Sequence, residues 1–477
     1  MKRNYFIAIA VVALLVASTI AQAADISFSG QFRPRWESQN DANPNTSSRD
    51  FFSTRVRLNA SANVNANTSV FMQFQSVGNW GNAQADGMDR DSTIGSDNLN
   101  DVGFHQAFVT FKSLMGQAVD AKIGRQEVVL DGHRLFGHTG WTTGAQTNDA
   151  IRLNHTAGNH TLNYIYIASS EGGSISNSDS ENNDIHILRA NTQGVMGGNL
   201  VGMFVMNSED SATAGGTADD NTWYTLGARQ NGKMGGLDYR VEYYHQFGNG
   251  GVDAAGADFA EAYTTVPTLN AQGDNIERDA YMFGIRVGKT FTNVKYSPTV
   301  TLWYDQLSGT DDEDIADSNY STFNTLQDTG HKYYGLIDNF TNAAGNGTQR
   351  YGLQDLAIKT KFKISDVNTL KVDAHQFYTQ TDLSGADSFG IRQRSNVSGA
   401  FACDNNGVCE SALENNLGQE IDVTLVHKYD ANTKFVAGYS HYFGTMTHAF
   451  LNGSGATARR TANGDQDWMY LMVDTKF

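Results

Sequence analysis

The chain has 477 residues, 48 Gly against 4 Pro, 40% hydrophobic residues and a formal charge of -17, with a mean hydropathy of -0.42. So acidic a chain lacks the basic face that nucleic-acid binding needs. Beyond the first residues no stretch approaches the ~18 consecutive apolar residues of a spanning helix.

The chain opens as an export leader. Lys2 and Arg3 give a charged start, residues 6 to 17 an apolar run, and Ala21-Gln22-Ala23 a small-x-small cleavage site. Residues 1–23 are therefore expected to be removed, leaving 24–477 as one domain. A lipid anchor would need a cysteine at the cleavage point, and Cys403 and Cys409 lie far from it.

From Asp25 onward the dominant period is two. Ile26, Phe28, Phe32, Pro34 and Trp36 alternate with Ser27, Ser29, Gln31, Arg33, Arg35 and Glu37. Phe52, Val56, Leu58 and Val64 alternate in the same way with Ser53, Arg55, Arg57, Asn59 and Asn63. Alternation also suits a soluble two-sheet sandwich, so connection lengths decide.

Short turns are expected near 65–68, 113–117, 156–159, 191–198, 231–236, 290–296, 364–368 and 429–433. They take turns with longer polar segments near 38–50, 78–101, 129–148, 169–183, 207–221, 247–278, 307–350, 380–416 and 445–465. That pattern predicts an all-β fold: a transmembrane antiparallel β-barrel of about 18 strands, with short periplasmic turns and long extracellular loops. Backbone groups within lipid must all be paired, so such a sheet closes on itself. The final strand carries Met469, Leu471 and Val473 in step with the terminal Phe477, the kind of signal that barrel-assembly machinery reads.

Alternation sends a series of cations to the non-lipid face: Arg33, Arg35, Arg55, Arg57, Arg152, Lys359, Lys361 and Lys363. A cation facing lipid at mid-bilayer would cost ~2–4 kcal/mol. Glu37, Asp238, Glu242, Asp373, Glu420 and Asp422 share that interior with Arg240 and Lys371. Fixed cations in a narrow pore favour anions, so a charge filter is expected there.

The acidic run "TDDEDIAD" (310–317) lacks the order of a calcium loop and is read as a solvated loop, bridged by divalent ions to lipopolysaccharide phosphates. "CDNNGVC" suits a disulfide between Cys403 and Cys409 in an oxidising compartment. His133 and His138 flank a Gly-containing turn without a zinc-binding pattern, so neither a metal nor a cofactor is expected. No "GxSxG" or legible triad marks an enzyme. The competing reading is a sleeve around an electron-transfer partner or an adhesin.

Several segments together resemble the alginate export family of outer-membrane porins: "FFSTRVRLNASANVNANTSVFMQFQSVGNWG" (51–81), "KIGRQEVVLDGHRLFG" with "NDAIRL" (122–137, 148–153), "FNTLQDTGHKYYGLIDNF" (323–340), "GLQDLAIKTKFKI" (352–364) and "LGQEIDVTLVHKYDANTKFVAGYSHYF" (417–443). The resemblance implies an 18-stranded monomeric barrel in outer-membrane lipid and lipopolysaccharide, passing small anionic or polar solutes or an anionic polysaccharide. Through "GRQE" it adds Arg125 to the candidate pore lining, although alternation from Ile123 points Arg125 outward. Where the alginate exporter proper carries a periplasmic plug loop, this chain has the short "YDANT", which predicts a less obstructed periplasmic mouth.

Overall fold

A computed structural model describes residues 25–40, 48–80, 102–170, 183–212, 218–249, 276–311, 313–314, 317, 319–341, 348, 351–382, 414–445, 447–448, 451 and 464–477. The leader (1–23) and the Cys403–Cys409 pairing lie outside the described residues.

Extended segments form wherever the period-two pattern runs. They are β1 (Asp25–Asn40), β2 (Arg49–Asn65), β3 (Thr68–Asn79), β4 (Gly103–Phe111), β5 (Val119–Gln126), β6 (Asn148–Ala157), β7 (His160–Ser170), β8 (Asn183–Val195) and β9 (Gly198–Ala212). There follow β10 (Ala218–Met234), β11 (Leu237–Asn249), β12 (Glu277–Thr290), β13 (Thr299–Leu307), β14 (Asn319–Tyr320), β15 (Leu353–Lys363), β16 (Asn368–Tyr378), β17 (Asn416–Lys428), β18 (Thr433–Gly444) and β19 (Gln466–Lys476). The two-residue β14 runs parallel beside the start of β12. The other 18 strands pair antiparallel in chain order, and β1 pairs with both β2 and β19, so the barrel closes.

Short and long connections alternate as expected, with both ends of the barrel on the short-turn side. The polar segment expected at 207–221 is narrower, because β9 and β10 stay paired out to Ala212 and Ala218. Closure is sealed at the terminus, where Phe477 N donates to Gly30 O and Gly30 N to Phe477 O. Leu58, Leu226, Leu302, Leu356 and Leu471 stand exposed on the outer face while Arg55, Thr225, Asp305 and Glu420 are buried on the inner one. Apolar outside and polar inside is the inversion that a lipid solvent imposes.

Two long connections do not stay outside. Loop A (127–147, between β5 and β6) and the described residues of loop B (308–352, between β13 and β15) both pack into the barrel. Their chains run side by side there: Gly137 N donates to Gln327 O (2.8 Å), Gln327 N to Leu135 O (3.0 Å) and Thr329 N to His133 O (3.1 Å). Both are apolar where they meet the wall. Val128, Leu130, Leu135 and Phe136 of loop A, and Phe323, Tyr333 and Phe340 of loop B, share one core with inward Ile165, Ile167, Ile185, Ile187 and Val205. Complete burial of each such side chain stabilises by ~1.5–3 kcal/mol, which offsets the entropy of ordering the loops.

Candidate functional site: the loop-filled lumen

The lumen is built from the wall inward. On β1 and β2, Arg33 and Arg55 stand directly opposite each other, a like-charge pair that is destabilising unless something answers it. Loop A answers it with backbone carbonyls. Arg33 Nη1 donates to Gly140 O (2.7 Å), and Arg33 Nη2 to Trp141 O and Thr142 O (both 3.0 Å). Arg55 Nη1 reaches Gly140 O and Thr142 O (both 3.2 Å), and Arg35 Nη1 reaches Trp141 O (2.8 Å). Arg35 also pairs with Glu37 at 2.7 Å, and Arg57 meets Glu127 at 3.4 Å and Gln75 at 2.6 Å. The Trp141 ring lies stacked on His331 of loop B, centroids 4.4 Å apart, with the Arg35 guanidinium 4.3 Å from the Trp141 ring centre.

Loop A crosses the lumen to the far wall. Asp131 meets Arg189 of β8 at 2.5 Å. Next, Gly132 turns with φ +81, a left-handed conformation that calls for glycine. Arg134 follows, 1% exposed, its guanidinium held by Glu242 (2.9 and 3.0 Å), Asp305 (2.7 Å) and the Tyr334 hydroxyl (2.8 Å). Burial alone would lower its pKa, but Asp305, Tyr334 and Glu242 outweigh burial and hold it well above the ordinary value.

Loop B is fixed to the opposite arc. Glu420 Oε1 accepts the N–H groups of Leu336 (2.5 Å) and Ile337 (2.9 Å). Lys359 Nζ donates to Tyr333 O at 3.4 Å, and Gln246 brackets Asn324 by two hydrogen bonds of 2.8 and 2.9 Å. Asp422 accepts from Ser440 at 2.5 Å. Asp373 lies 3.8 Å from Lys359.

Four further inward cations form no hydrogen bond to loop A or loop B among the described residues. Lys122 stands opposite Arg152 and Lys361 opposite Lys371. Lys122 lies 3.7 Å over the Phe108 ring, and Arg152 donates to Asn154 at 3.1 Å. Among the described residues none of these four forms an ion pair with a carboxylate. Arg240 and Arg286 are likewise directly opposite and, with Arg229, line a cavity of about 560 Å³ on the short-turn side of loop A. Lys363 and Asp238 sit at turns, paired with Asp366 (2.9 Å) and Lys233 (3.1 Å).

Arg125 requires a correction. It shares the outward face of Ile123, and Asp149 opposite it shares that of Ile151. The two side chains pair at 2.6 Å, so Arg125 does not line the pore. Regular register carries alternation through Gln126, and only Glu127, past the end of β5, turns inward to Arg57. Conversely, the arginines at 134, 189, 229 and 286 went unmarked. A usable signal was the apolar content of 128–136 and 333–340, which is out of place in loops bathed by water.

A closed barrel of 18 antiparallel strands, apolar outside, charged inside and narrowed by its own loops, defines a channel of the outer membrane. The chain belongs to the alginate export family, whose model, described as alginate export, matches residues 24–460. Among curated proteins none matches it in sequence. Solved structures of the same fold include OccK8 (OprE) of Pseudomonas aeruginosa, with a TM-score of 0.55 at 13% identity over 95% of this chain and 98% of that one. OccAB1 of Acinetobacter baumannii follows at 0.54 and 12% over 95% and 96%. OccK2 (OpdF) of Pseudomonas aeruginosa, solved with glucuronate, matches at 0.50 and 11% over 95% and 96%.

Proposed function

We propose that the channel passes small anionic, hydroxyl-rich solutes passively and in preference to cations. The observation that carries this reading is the set of like-charge pairs facing the lumen, Lys122 with Arg152 and Lys361 with Lys371, without a carboxylate partner among the described residues. Like charges set directly opposite one another cost stability, and a passing anion lowers that cost. Cations fixed in a narrow pore also raise the local anion concentration.

A carboxylated sugar suits this lining, and such a ligand, glucuronate, is named with the structural neighbour OccK2. The interlocked loops A and B favour a small solute over a long polysaccharide. The same reading takes residues 1–23 as the export leader, Phe477 as the assembly signal and the barrel as a monomer.

The test is reversal potential in planar bilayers under a tenfold KCl gradient, where an ideally anion-selective pore approaches the monovalent limit of about 59 mV. The unmodified channel should lie on the anion side. Lys122→Gln/Arg152→Gln and Lys361→Gln/Lys371→Gln should each move it toward zero. Cation preference in the unmodified pore would overturn the reading.

A further inference from the structure

The geometry points to Arg134 as a positioning residue that sets the charge of the pore from within loop A. Its guanidinium takes one oxygen each of Glu242 and Asp305, the buried carboxylates nearest the arginines around the 560 Å³ cavity, and leaves Glu242 Oε2 and Asp305 Oδ1 without a hydrogen-bond partner. This inference rests on the anion-favouring reading above and deepens it.

Three observations meet here. Arg134 belongs to a loop, yet its ion pairs are with β11 and β13 of the wall, at 2.9 and 2.7 Å. The wall's own arginines stand farther from the same carboxylates: Arg229 at 3.4 Å and Arg240 at 3.6 Å from Glu242, and Arg286 at 3.8 Å from Glu242 and 3.7 Å from Asp305. Finally, Arg229 Nε, Arg240 Nε and Nη2, and Arg286 Nε and Nη2 are buried without a hydrogen-bond partner. Had Glu242 and Asp305 been there to balance the wall arginines, those nitrogens would hold the short contacts. Arg134 holds them, and the charge of the wall arginines is met only at 3.4 to 3.8 Å.

Arg134 also joins the two loops. Its Nη1 donates to Tyr334 and its guanidinium carbon lies 3.9 Å over the Tyr333 ring. One side chain of loop A thus ties loop B and the wall together while it biases the charge of the cavity beneath. Counting Arg134, four guanidiniums surround Glu242 and Asp305, with Asp131, already paired with Arg189, 3.9 Å from Arg229 at the edge of the cluster.

That count makes a structural role and a charge role separable. Arg134→Met removes one positive charge from the cluster, whereas Arg134→Met/Glu242→Gln/Asp305→Asn removes one positive and two negative charges. Both variants lose the loop contacts, so both should conduct more than the parent. A purely structural role would move their ion selectivity together. The charge role requires them to part: anion-to-cation permeability should fall below the parent in Arg134→Met and rise above it in the triple variant.

Arg134→Lys keeps the charge and should retain the parental selectivity while conductance rises. Selectivity shifts of the same sign in both Met variants, or none in either, would overturn the inference. If Arg134→Met fails to assemble, Glu242→Gln/Asp305→Asn decides the matter and must be more anion-selective than the parent. The ordering holds whichever ion the parent prefers, so its failure is distinct from failure of the anion reading.

Discussion

Two arginine pairs in this barrel begin alike and end differently. Arg33 with Arg55, and Arg240 with Arg286, are each directly opposed across neighbouring strands and point into the lumen. The first pair donates to the carbonyls of residues 140–142. The second borders a cavity and, among the described residues, donates to no loop carbonyl. An inward cation is therefore not by itself a filter. Where the chain supplies oxygens, arginine becomes a fastener for a loop; where it supplies none at short range, the charge is left to the cavity.

The largest expected effect comes from breaking the first pair. Arg33→Gln/Arg55→Gln removes charge-assisted hydrogen bonds worth about 1.5–3 kcal/mol each, enough to free the 139–142 segment of loop A. Single-channel recordings should show larger and noisier conductance. The corresponding change at Arg240 and Arg286 should alter ion selectivity more than conductance. Equal effects on both quantities from both pairs would erase the distinction drawn here.

A smaller effect is expected from acid. His133 lies where loop A joins loop B, facing Thr329 of loop B at 3.3 Å and His138 of its own loop. Burial, then Lys332 and His138, pull its pKa from 6.5 down to about 4. The ordered loops thus prefer the neutral ring. Its contribution to loop order is complete above the ordinary histidine value and is lost as pH falls from about 6.5 toward 4. Open-channel noise should rise across that window, and His133→Gln should flatten the profile. A profile that His133→Gln leaves unchanged would assign the acid response to another group.

The smallest effect should come from Arg125→Gln. Its partner Asp149 is exposed on the outer face at the loop end of β5 and β6, away from mid-bilayer, where the cost of an outward charge falls to about 0–1 kcal/mol. Reversal potential should not move. A shift comparable to that of Lys122→Gln/Arg152→Gln would put Arg125 back in the pore.

Much of the wall was legible in the sequence. Alternation placed Arg33, Arg55, Arg152 and Lys359 on the inner face because a strand repeats every two residues, and lipid excludes charge from the other side. Loop A was legible only as a long connection. Its apolar residues Val128, Leu130, Leu135 and Phe136 meet Ile165, Ile187 and Val205 through contacts that no local period encodes. Arg125 shows the opposite case, since plain alternation read its direction correctly where a motif match did not.

By itself, then, the sequence determined the closed antiparallel wall, the sides on which turns and loops lie and the face each strand residue takes, because these follow from local periodicity and from the solvent around the barrel. Tertiary structure alone decided which cations hold a loop and which do not. That choice depends on oxygens arriving from far along the chain: Gly140 lies 107 residues from Arg33 and Asp305 lies 171 from Arg134. Hydrogen bonds act over about 3 Å, and only the folded chain brings such partners within reach.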